Sequence, residues 1–172
     1  MTGGWWRRNA ISLAAIAVLL PVTVGVIAVN EWSEQGVPIG SGPIVVEPGA
    51  VVSYGGARVG PAKATFTDDP AAPSGARVVS TTVLVSPDDG PIRCLSPVLR
   101  ELEGTGRQWD EASSELDRDF AADRRTFCDS ERSIRYSLTL DYLVPSDATG
   151  PFTVDLEVLD AATPPVRLIV EP

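Results

Sequence analysis

The residues of this chain whose types and spacing could do chemistry are two cysteines and a concentration of carboxylates. Cys94 and Cys128 are the only thiols, and eight of the 23 acidic residues fall within residues 110–131. That stretch holds Asp117, Asp119 and Asp123, oxygen donors of the kind a calcium loop uses. An EF-hand in this frame requires Gly at 122 and Glu at 128, where the chain has Ala122 and Cys128. A solvated helix face with Arg118, Arg124 and Arg125 interleaved accounts for the same residues, and cation binding by the stretch stays open. Carboxylates in pairs also hydrolyse glycosides, provided one is protonated and the second stands about 5 or 9 Å away. An abundance of Asp and Glu does not establish such a pair.

The chain has no histidine. Ser-His-Asp and Cys-His catalysis, His-containing zinc sites and imidazole proton shuttles are therefore removed. No GxxxxGK[ST] or GxGxxG phosphate loop is present either, and Gly104-Thr105-Gly106 falls between strand-like runs, where it reads as a turn. The expectation is a protein that is not an enzyme, with no catalytic, cofactor or metal-binding residue assigned. Its net charge of -9 carries the wrong sign for a nucleic-acid partner.

The cysteines must be placed by the elements around them, and the first of these is an apolar segment. Residues 10–29 form a run of 20 without a charge, the length a helix needs to cross about 30 Å of hydrocarbon. Arg7 and Arg8 precede the run, while Glu31, Glu34 and Glu47 follow it, and no basic residue appears before Arg58. This asymmetry puts residues 1–9 in the cytoplasm and the rest of the chain outside the cell membrane. Trp5 and Trp6 on one side and Trp32 on the other are spaced as interfacial belts. A cleaved signal peptide is the competing reading, and its usual apolar region of about 7 to 15 residues is shorter than this one. Outside the membrane Cys94 and Cys128 meet an oxidising environment, and an even count predicts that they pair as a disulfide. A redox pair would call for Cys-x-x-Cys spacing.

Residues 30–43 combine Gly, Ser and Pro as a flexible linker, and a domain occupies residues 44–172. Strand-length runs recur there: IVVE from Ile44, VVSY from Val51, KATF from Lys63, ARVVSTTVLV from Ala76 and VRLIV from Val166. Residues 98–109 read as two strands joined across the turn at residues 103–106. Alternation puts Ile134, Tyr136, Leu138, Leu140 and Tyr142 on one face, and Phe152, Val154, Leu156 and Val158 on another. Ser114 is placed to cap one short helix over residues 115–125, with Leu116 and Phe120 on a common face. The fold class is mainly β: an antiparallel sandwich of about seven to eight strands with one short helix, preceded by a single transmembrane helix.

The order Cys94, Trp109, Cys128 invites comparison with immunoglobulin domains, but the second gap is too short, and Thr126 stands where a tyrosine corner would put Tyr. The layout of one apolar helix, a Gly/Ser/Pro spacer and a sandwich, with Leu140-Asp141-Tyr142-Leu143-Val144-Pro145 ending a late strand, resembles membrane-anchored immunoglobulin-like domains of Gram-positive, actinobacterial cell envelopes. That resemblance implies a fold and a location and no activity. The expected function is a non-catalytic extracytoplasmic domain that binds or supports an envelope component, with the bilayer held through residues 10–29 and another envelope protein as a partner. The alternative is an accessory subunit of a transporter or secretion complex, since the layout is also similar to small partners of mycobacterial lipid exporters. A carboxylate-based hydrolase is the weakest of the three.

Overall fold

The computed structural model describes residues 3–34, 42–118, 124–159 and 163–172. The chain divides into two compact units, Met1–Ser41 and Gly42–Pro172. In the first, helix α1 runs over Gly3–Glu34. It extends beyond residues 10–29 at both ends, so residues 30–34, expected in the linker, are helical. Proline at position 21 lies inside it, and the Thr23 hydroxyl donates to the Leu19 carbonyl at 2.8 Å, which satisfies that polar group within the helix. Ile16, Val18, Leu19, Leu20, Val22, Val24, Val26 and Ile27 are all more than half exposed. Successive helical residues point about 100° apart, so Val18, Leu19 and Leu20 alone cover three faces. Among the described residues no helix is long and apolar enough to cross a membrane; that set omits the side chains of residues 5–8, 11 and 28–34. The belt expected of Trp5, Trp6 and Trp32 and most of the spacer lie outside it too.

The second unit is a two-sheet β-sandwich. Its strands are β1 (Ile44–Val46), β2 (Val52–Tyr54), β3 (Ala57–Thr67), β4 (Ala76–Pro87), β5 (Val98–Glu101), β6 (Gln108–Trp109), β7 (Tyr136–Pro145), β8 (Phe152–Leu156) and β9 (Val166–Val170). One sheet has the order β1-β9-β8-β5-β6 and the other β2-β3-β4-β7. The period-two pattern is what builds the interior: Tyr136, Leu138, Leu140, Tyr142 and Val144 from β7 meet Phe152, Val154 and Leu156 from β8 in one buried cluster. Phe152 stands edge-on to Phe66 at 6.3 Å and to Trp109 at 5.9 Å, which ties the two sheets together at that end.

The structure corrects the sequence reading in four places. There are nine strands where about seven to eight were expected, and the two short runs on either side of the tight turn at residues 47–50 both form, as edge strands of different sheets. The sandwich is not wholly antiparallel, since β1 runs parallel to β9, Ile44 opposite Val166. Ile134 is 67% exposed and lies before β7 begins, so it does not join the face of Tyr136. The helix expected over residues 115–125 is absent among the described residues: residues 113–117 form a single turn. That turn is closed by Arg118 N–H to Ser113 O at 3.0 Å and Asp117 N–H to Ser114 O at 3.3 Å, with Asp117 at φ +50°. This is the hydrogen-bond pattern that ends a helix, with an aspartate in the left-handed position usually filled by glycine. Asp119, Phe120 and Asp123 lie outside the described residues.

Candidate functional site

On β7 the alternation that buries Leu140 and Tyr142 points Asp141 to the outer face of the sheet, where a carboxylate would ordinarily meet water. Asp141 is nonetheless only 3% exposed. The cover is the connection from β6 to β7, of which residues 111–118 and 124–128 form a strap along the free edge of β7. Glu111 bridges to Tyr142, Ala112 N–H donates to the Asp141 carbonyl at 2.8 Å, and Thr139 N–H donates to the Arg125 carbonyl at 2.7 Å. The strap thereby occupies edge groups that would otherwise be open to another strand. Val78, on the outer face because Val79 faces the interior, is fully buried, as nearly are Ala112 and Leu116, and none of the three belongs to the inter-sheet cluster. The strap thus brings apolar cover of its own.

Charge pins it in place. Asp141 accepts from Ser80 Oγ at 2.6 Å, from Arg118 Nε at 2.9 Å and from Arg124 Nη2 at 2.7 Å. Arg118 also reaches Asp69 at 2.6 Å in the β3–β4 turn. Burial pushes the Asp141 carboxyl up, but the hydroxyl and the two guanidinium groups outweigh it and hold the group below the usual carboxylate range. Arg118 is desolvated as well, and its two carboxylate partners more than offset that, so its pKa is raised. Glu111 Oε1 accepts from Ser113 N–H at 3.0 Å, from the Ser113 hydroxyl, and from Asp141 N–H at 3.4 Å. Arg124 Nη2 in turn donates to Ser113 Oγ at 3.2 Å. Beside this network lies a cavity of about 140 Å³ lined by Glu111, Ser113, Ser114, Arg118, Arg124, Thr126 and Phe127.

The strap ends at the predicted disulfide. Cys94 and Cys128 are bonded, with Cα atoms 5.4 Å apart. Cys94 also pairs with Val158, which fastens the strap to the connections after β4 and β8. The pair is structural in position: it lies at the end of the sandwich and not across its core, unlike an immunoglobulin disulfide.

A second polar group sits at the opposite end, where Arg107 bonds Glu101 at 2.9 Å and Asp147 at 3.1 Å. The Arg107 bond holds Glu101 below its ordinary pKa. Both Glu101 and Asp141 are shifted in the direction opposite to what a general acid needs. Tyr142 is pushed up by burial and donates its hydroxyl to the Pro97 carbonyl at 3.1 Å, which makes it a packing residue. Among the described residues no group of three or more His, Cys, Asp or Glu is arranged to hold a metal ion. Of the calcium candidates only Asp117 is described, and it serves the turn.

Sequence reading found the disulfide and missed the network. Asp141 gave one signal, a lone carboxylate between Leu140 and Tyr142 in an otherwise apolar-alternating strand. Nothing local pointed to its partners, which lie 17, 23 and 61 residues away. Comparison with protein-family models, with curated proteins and with solved structures returned no match.

Proposed function

We propose that this chain is a non-catalytic binding domain held outside the cell membrane by its N-terminal helix, with residues 1–9 in the cytoplasm. The observation that carries the reading is the exposure of large apolar side chains on every face of α1. A helix apolar all round belongs in a large protein core or in lipid, and the 20 uncharged residues suit the second. Removing Arg7 and Arg8 leaves 12 basic against 23 acidic residues, a net of -11. Such a domain is repelled by anionic headgroups, so attachment falls to the helix. A disulfide among the exported residues agrees with that address.

The immunoglobulin-like reading draws support from the strand order. Consecutive strands change sheets between β1 and β2, between β4 and β5, between β6 and β7 and between β7 and β8, and the first strand pairs in parallel with the last. Strap, cavity and the pinned Asp141 network then serve to present a fixed surface to an envelope component.

Protease added to intact protoplasts tests the topology. The domain should be trimmed while an epitope at the N-terminus survives, and the helix fragment should stay in the membrane after alkaline carbonate. Full protection of the domain, or its release by carbonate, overturns the reading.

A further inference from the structure

The cavity beside the strap holds a carboxylate with no ion-pair partner among the described residues. Among the described residues Glu111 accepts only through Oε1, always from neutral donors, and it has no ion-pair partner there. Arg124, which lines the same cavity, has its Nε buried with no hydrogen-bond acceptor and its Nη2 anchored on Asp141 and on Ser113. A half-buried carboxylate without a cation is costly unless something completes it, and Arg124 adds a guanidinium to the same lining. The ring of Phe127, 63% exposed, also lines the cavity and can offer a face to a positive group. The Ser113 hydroxyl donates to Glu111 and accepts from Arg124, and Ser114 also lines the cavity.

We propose that this cavity binds a small zwitterion, a free α-amino acid, with its ammonium on Glu111 and Phe127 and its carboxylate on Arg124. Size agrees: 140 Å³ is about five water volumes at roughly 30 Å³ each, room for an amino acid with a small side chain. A simple anion would leave Glu111 unmatched and face its repulsion; a simple cation would meet Arg118 and Arg124. Only a ligand with both charges answers both residues. The inference deepens the reading of the domain as a binding module and does not depend on the membrane helix.

The full chain in detergent, titrated calorimetrically with alanine, alanine methyl ester and N-acetylalanine, tests it. Alanine should bind saturably, and each blocked form should bind about tenfold or more weaker, since each leaves one charged partner unpaired. Glu111→Gln should weaken alanine while changing N-acetylalanine little, and Phe127→Ser, at an exposed position, should weaken alanine with the fold intact. No saturable alanine binding, equal binding of the three probes, or full affinity in Glu111→Gln would overturn the site. Those results leave the membrane topology standing, whereas chemical turnover of a bound probe would end the non-catalytic reading and keep the site.

Discussion

Arg118 Nε donates to Asp141 Oδ2 at 2.9 Å across 23 residues of chain, joining the strap to the outer face of β7. Arg124 shares the same oxygen at 2.7 Å. Two cations on one buried carboxylate make Asp141 the residue whose loss leaves most charge uncompensated. Asp141→Asn should cost about 3 to 5 kcal/mol, the usual penalty for breaking a buried ion pair from one side. Ser80→Ala, which removes a neutral donor, should cost about 1 kcal/mol. Urea unfolding of the two variants measures both, and equal small losses would mean that the network does not hold the strap.

The same carboxylate sets an acid limb. A group whose folded pKa lies below its unfolded value, about 3.9 for Asp, stabilises the fold above that value and loses the contribution as pH falls through the folded pKa. Stability should therefore drop as pH falls below about 4, with amide exchange in the strap rising first. In Asp141→Asn that part of the drop should vanish. An unchanged acid limb in the variant would assign it to other carboxylates.

Reducing Cys94–Cys128 frees a loop with a sequence separation of 34. In the chain-entropy model closing a loop of that size is worth about 4 kcal/mol, a large share of a total of about 5 to 15 kcal/mol. The thermal midpoint should fall clearly with reductant and to the same value in a Cys94→Ser/Cys128→Ser double variant. Two free thiols in protein taken from its native envelope would contradict the pairing.

Gly60 sits at the register shift between Val59 and Ala62 in β3, with φ +102°. A Cβ there would stand 2.4 Å from the Ala50 carbonyl oxygen, which is backbone and has no rotamer to yield. Gly60→Ala should cost more than about 2 kcal/mol, combining strain with the clash. Gly106→Ala, at φ +66° with nothing within 4 Å, should cost only about 1 kcal/mol. Comparable midpoints for the two variants would show that β3 can shift away from Ala50.

How much of this was legible follows from the range over which each force acts. The period of two along residues 136–142 and 152–158 is a local pattern, and it names the buried faces of β7 and β8 without reference to any neighbour, Ile134 excepted. The turn at residues 103–106, the apolar run of residues 10–29 and the even cysteine count are equally local, and the disulfide followed from compartment chemistry. The helix over residues 115–125 was also argued locally, from Ser114 and well-placed charges, and there tertiary contacts won: Arg118 and Arg124 turn toward Asp141 and Asp69, so the chain reverses at Asp117 and lies down as a strap. A buried carboxylate is stable only where several donors converge on it, and sequence order does not say which residues of distant loops will converge. The sequence by itself determined the strands, the apolar helix and the cysteine pair; only the tertiary structure decided that Asp141 is buried, that the strap closes the edge of β7, and that Glu111 and Arg124 face one cavity.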